Sequence, residues 1–122
     1  MFIGGGKMNV LPNFEKAVVP IEKLTQYSLN ADKDADKAFA FRLALGYAER
    51  DADDLSANIL QNIGNFIAIS KGHNGFGELF ECVMELVGAN GKCANVLTAW
   101  IVEDGMDHPR MINAYVTKKK VR

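Results

Sequence analysis

The chain has 122 residues, 48% hydrophobic and 24% charged, which is the mixture of one ordinary globular domain. Its 14 Lys and Arg against 15 Asp and Glu give a formal net charge of -1. That balance disfavours a protein that coats nucleic acid through bulk charge, though it leaves room for an enzyme with a local basic site. No apolar run approaches the roughly 20 residues of a membrane-spanning helix, and Met1–Lys7 lacks the apolar region of a signal peptide. The expected location is the cytoplasm, with no membrane partner.

In chain order, residues 1–9 read as a flexible extension built around the triple glycine Gly4–Gly6, with Met8 an equally good natural start. Residues 10–117 form the single expected domain, and 118–122 a basic tail. Residues 9–20 are an irregular or extended lead-in punctuated by Pro12 and Pro20. Pro20 suits the first position of a short helix over 21–29, where its missing N–H costs nothing. A polar break, Asn30–Asp34, separates it from a helix over 35–45. There Ala38, Phe39, Phe41, Leu43, Ala44 and Leu45 crowd together closely enough to predict a well-buried element, stopped by Gly46. A third helix spans about 51–61, its first turn favoured by Asp51, Asp53 and Asp54 at the positive end of the helix dipole.

The apolar period then changes from helical to two. Strands are expected over 66–71, 78–87, 94–102 and 110–116, with Gly72–Gly75 a turn. Helices first and strands afterwards give an α+β fold: N-terminal helices on one face of an antiparallel, mostly meander four-stranded sheet. Asn90-Gly91 signals a two-residue hairpin, which places residues whose numbers sum to 181 opposite each other. Cys82 then faces Ala99 and Cys93 faces Gly88, out of register for a disulfide, so two reduced thiols are expected. The same register puts Phe80, Cys82, Met84 and Leu86 with Leu97, Ala99 and Ile101 on the helix-packed face. Trp100, Thr98, Glu81 and Glu85 fall on a polar and aromatic second face, which is either a ligand surface or simply solvated.

Candidate chemistry is sparse. His73 lies in a glycine-flanked turn, where close approach of a phosphate and acid–base work at neutral pH are feasible, although Gly-His-Asn-Gly is also plain turn chemistry. His108 precedes Arg110, whose planar fork suits a phosphodiester. Lys37 stands among Asp32, Asp34 and Asp36 and on spacing alone is a solvated helix lysine. Lys118–Lys120 with Arg122 form a local basic run that suits RNA or an acidic partner, and such tails are ordinarily solvated and disordered. No phosphate-binding loop is present, and neither cysteine has partners at zinc-like spacing, so no cofactor and no metal are expected.

Three stretches resemble one family: Ala17–Asn30, then Lys37-Ala38 with Phe41 and Leu45-Gly46-Tyr47, then Trp100–Gly105 followed by Pro109–Tyr115. It is a group of small, uncharacterised bacterial α+β domains, found alone, in toxin-like gene neighbourhoods, and at the C-termini of phage head proteins and polymorphic toxins. The order of elements is also similar to the nuclease superfold of barnase, RelE and the colicin ribonucleases. The resemblance implies a toxin-type ribonuclease acting on RNA phosphodiesters, active or degenerate. Under it, Lys37, Arg110 and His73 or His108 are the catalytic candidates, and Trp100, Asn113 and Tyr115 the substrate-binding ones. The sequence departs from the family pattern in having Asp32–Asp36 in place of a His-Pro-rich segment, Asn113 in place of Thr, and Val116 in place of Pro. The rival expectation is a noncatalytic protein-binding module, such as a phage-encoded inhibitor or accessory protein, meeting an immunity-type or host partner through the Trp100 face and acidic patches at 32–36 and 51–54.

Overall fold

A computed structural model describes residues 9–122. Residues 1–8 of the proposed 1–9 extension lie outside the described residues, while the carbonyl of its last residue, Asn9, accepts a hydrogen bond from the Ala68 amide. The lead-in carries a 3₁₀ turn, Phe14–Lys16, and the segment after Pro20 tightens into a short π-helical stretch, Leu24–Ser28. Helix α1 spans Ala35–Leu45 and α2 spans Ala52–Asn62, introduced by a 3₁₀ turn at Glu49–Asp51. Strands β1 (Ala68–His73), β2 (Gly77–Val87), β3 (Cys93–Glu103) and β4 (Arg110–Val116) follow. They make one antiparallel sheet in the order β1-β2-β3-β4, as the α+β expectation requires.

Helix α1 begins where the Asp34 carboxylate accepts the Lys37 amide at 3.1 Å, an N-cap that satisfies one of the helix's free donors. It ends at Gly46, which takes the left-handed conformation (φ 77°) that a side chain would resist. Its inner face buries Ala38, Phe41 and Leu45. Against expectation its outer face is not buried: Phe39 is 57% and Leu43 62% exposed. Apolar residues all round a helix suggested burial on every side, but the sheet covers only one of them.

The β2–β3 hairpin corrects the register. Its loop has three residues, Ala89-Asn90-Gly91, closed by Gly88 N–H to the Lys92 carbonyl at 2.8 Å and Gly91 N–H to the Gly88 carbonyl at 3.1 Å. Only Gly91 has a positive φ (78°), which is the three-residue hairpin with a left-handed third position. A two-residue type I′ turn would also need Asn90 at positive φ, and Asn90 is not. The tip rests on the end of α1, where a Cβ on Gly88 would collide with the Leu45 carbonyl.

The consequence is a shift of one residue: Cys82 pairs with Thr98, Phe80 with Trp100 and Val87 with Cys93. Every β3 side chain therefore exchanges faces relative to the expectation. Trp100, Thr98 and Val96 join Phe80, Cys82, Met84 and Leu86 on the helix-packed side. Leu97, Ala99 and Ile101 join Glu81, Val83 and Glu85 on the other. Both cysteines are free thiols, Cys82 buried and Cys93 exposed.

The core lies between the helices and the first face, with Leu24, Phe41, Leu45, Leu55, Ile59 and Ile63 against Met84, Leu86, Val96, Trp100 and Met111. Trp100 is fully buried. Its Nε1–H donates to Thr98 Oγ1 (2.8 Å), which in turn donates to the Cys82 carbonyl (2.9 Å). The second face has its own buried strip, Val83, Leu97 and Ile101, which stands apart from the core cluster that the described helices pack into. The C-terminal segment crosses that side. Thr117 N–H bonds the Asn95 carbonyl (2.9 Å), and the Asn95 side-chain amide bonds the Lys119 carbonyl (3.0 Å). The basic tail is thus a strap held on the sheet.

Candidate functional site

Strand β4 is an edge strand whose outer edge is largely occupied. Val18 bridges it beside Arg110, through Val18 N–H to the Pro109 carbonyl and Met111 N–H to the Val18 carbonyl, both 2.9 Å. Farther along, the buried Ser28 hydroxyl donates to the Ala114 carbonyl at 2.7 Å. These bonds satisfy backbone groups that an open edge would present to another chain. They also fix where the side chains of β4 point.

A register shift between Ala99 and Trp100 keeps Met111 and Ala114 in the core. Arg110, Asn113 and Tyr115 lie opposite Ile101, Ala99 and Leu97, hence on the second face. Lys37 arrives from the first turn of α1, 76 residues away in sequence. Its ammonium donates to Asn113 Oδ1 at 3.0 Å and stands 5.4 Å from the centroid of the Tyr115 ring, a cation–π distance. Asp34, whose other oxygen caps the helix, is 3.9 Å from the same ammonium. Arg110 Nε donates to Glu103 at 3.1 Å, leaving the rest of its guanidinium for another acceptor. Lys37, Asn113 and Tyr115 are therefore brought together, and Arg110 lies on the same face farther along the strand. They form a track along a strand rather than a pocket, roughly 16 Å long for the five steps from Arg110 to Tyr115 at the usual strand rise.

The two histidines are placed differently. His73 lies in β1, not in the turn, which is Asn74–Phe76. The Gly75 amide donates to its Nδ1 at 3.0 Å, which puts the ring proton on Nε2, and Nε2 donates to the Asp104 carboxylate at 2.9 Å. Both nitrogens are engaged, so His73 ties the tips of two hairpins together and is poorly placed to move a proton. His108 uses only Nδ1, at 3.3 Å from Asp107, and its Nε2 has no partner among the described residues. Asp107 is held by Lys16 at 2.8 Å, and its carboxyl lies below the usual range, first through the Lys16 hydrogen bond and then through that of His108. The expected base-stacking role of Trp100 does not fit: its ring faces the core and has no exposed surface.

Asp104, Asp107 and Asn95 were not among the expected residues. Each is defined by a contact across at least 24 residues or by a turn neighbour, and no local pattern in the sequence carries such a pairing. Among the described residues no group of three or more His, Cys, Asp or Glu could hold a metal ion, and no helix is long and apolar enough to cross a membrane.

A family model described as "Domain of unknown function (DUF6883)" matches residues 10–118, and the chain belongs to that family. No curated protein and no solved structure matches.

Proposed function

We propose that this member of the family is a ribonuclease-type domain that binds an RNA phosphodiester along β4 on the second face of the sheet. The observation that carries the reading is the convergence of Lys37 on Asn113 and Tyr115, with Arg110 on the same strand face. Here Asn113 holds the ammonium beside an aromatic ring, a geometry suited to one phosphate and the base next to it. Lys37 and Arg110 stabilise the charge that builds on phosphorus as the 2′-oxygen attacks and the bond to the 5′-oxygen breaks. His108 accepts the 2′-hydroxyl proton at Nε2 and returns a proton to the leaving 5′-oxygen, with Asp107 orienting the ring through Nδ1. Tyr115 stacks the base, in place of Trp100.

The test is a gel of total cellular RNA after induced expression. Discrete fragments are expected with wild type, with a loss of at least tenfold in Lys37→Ala and in Arg110→Ala. Intact RNA in healthy cells that hold good yields of folded wild type overturns the reading.

A noncatalytic protein-binding module is favoured by a different observation. The exposed Phe39 forms one wall of a groove of about 580 Å³, whose charged lining is Asp32, Asp36 and Glu49 against the single cation Arg42. An apolar segment with basic flanks would suit that groove. Co-purification of one stoichiometric partner, lost in Phe39→Ser, would support this second reading.

A further inference from the structure

The cations of the C-terminal strap are absorbed neither by the core nor by the β4 track. From Arg110 to Arg122 the chain carries five Lys and Arg and no Asp or Glu. Between Asp32 and Asp54 there are seven carboxylates against four cations. The near-zero net charge therefore hides a segregation, with the positive end of the sequence laid on the second face of the sheet.

The strap is positioned rather than free. Besides the two bonds with Asn95, Lys119 N–H bonds Thr117 Oγ1 at 3.1 Å. Residues 119–122 roof a cavity of about 390 Å³ over Ile67, Ile69, Glu81 and Val83. By strand register this is the face that presents Arg110, Asn113 and Tyr115. Lys119 is 3.9 Å from Glu81, an ammonium in solvent against a half-buried carboxylate at the limit of an ion-pair distance, which costs little to release. Lys118, Lys120 and Arg122 have no ion-pair partner among the described residues.

We propose that the strap is the second half of the RNA interface: Lys118, Lys120 and Arg122 hold the phosphates flanking the one bound at Lys37 and Arg110, and the ligand is single-stranded RNA. The inference rests on the ribonuclease reading of β4. Single strands are required because Tyr115 reaches a base only where that base is unpaired, whereas a duplex keeps its bases stacked inside. Cations fixed on a sheet face lose less freedom on binding than those of a mobile tail.

The experiment measures binding of a labelled oligouridylate with 2′-O-methyl groups, which cannot be cleaved, as a function of salt. Each phosphate neutralised on a single strand contributes roughly 0.7 to the slope of log affinity against log salt. Neutralising the three free cations (Lys118→Gln, Lys120→Gln, Arg122→Gln) is expected to lower the magnitude of that slope by about 2. A second variant, Asn95→Ala, keeps every charge but releases the strap, and is expected to weaken binding several-fold. If wild type binds, Lys37→Ala weakens binding, and the triple variant keeps the full slope, the strap inference fails alone. If wild type does not bind, the reading of β4 fails and the strap inference with it.

Discussion

Thr98 carries more of the fold than its size suggests. It is a buried hydroxyl that accepts from the Trp100 indole and donates to the Cys82 carbonyl, so both polar partners depend on one oxygen. Thr98→Val keeps the shape and leaves the indole N–H and the carbonyl without that oxygen. The expected cost is about 1–3 kcal/mol, read as a lower denaturant midpoint. The neighbouring Cys82 thiol is pushed up to about 12 by burial, while Cys93 is exposed on the hairpin. An alkylating reagent at neutral pH should label Cys93 in the folded protein and reach Cys82 only after unfolding, since the thiolate is the nucleophile. Equal labelling of both under native conditions would contradict the placement of Cys82. The different environments of the two histidines make a further prediction. His73→Ala should leave RNA cleavage within about twofold and cost at most about 1 kcal/mol, because its hydrogen bond to Asp104 is exposed. His108→Ala should abolish cleavage without weakening RNA binding. The reverse pattern would exchange the roles assigned to the two rings.

At the scale of elements, α1 presents two apolar faces with opposite consequences. Phe41→Ala opens a cavity against the sheet and should cost about 3–5 kcal/mol, whereas Phe39→Ser with Leu43→Ser should stay close to neutral, both measured by denaturant unfolding. This contrast shows what periodicity can and cannot reveal. The existence and bounds of α1 and β4 were legible from the polar break before Ala35, the stop at Gly46 and the two-residue period. Which side of α1 meets the sheet was not, because Phe39, Phe41, Leu43 and Leu45 offer a core to either side. The hairpin failed for a related reason. Asn-Gly is compatible with a two- or a three-residue loop, and the difference of one residue moved Trp100 from an expected binding face into the core. Lys37, Arg110, Asn113 and Tyr115 were singled out from a resemblance, and their juxtaposition depends on where Lys37 crosses the sheet edge. The lead-in is clasped to the β3–β4 turn by Lys16 and Asp107. The Asp107 carboxyl is lowered in the fold, so the clasp's contribution is complete above the unfolded carboxylate range near pH 4 and fades as pH falls through the lower folded value. Lys16 is raised, so the same contribution fades at the alkaline end as pH rises through its folded value.

Across the whole molecule the charge is uneven along the chain: carboxylates outnumber cations between Asp32 and Asp54, while the cations after Arg110 lie over a sheet face that also carries Glu81, Glu85 and Glu103. A strand of RNA approaching the second face meets attraction from nearby cations and a weaker, longer-range repulsion from the helical side. The two should separate by salt and by rate. Asp32, Asp36 and Glu49 line the groove beside α1 and form no ion pair among the described residues, so neutralising them (Asp32→Asn, Asp36→Asn, Glu49→Gln) removes no contact to the proposed ligand. Such a variant should associate with single-stranded RNA several-fold faster at low ionic strength, because long-range fields act on encounter. The advantage should vanish near 0.1 M salt, where screening acts over about 10 Å. Dissociation should not change, since the contacts at Lys37, Arg110 and the strap are intact. Stopped-flow fluorescence at two salt concentrations separates these terms. A change confined to dissociation would place the ligand against the helical side and transfer the weight to the groove beside Phe39.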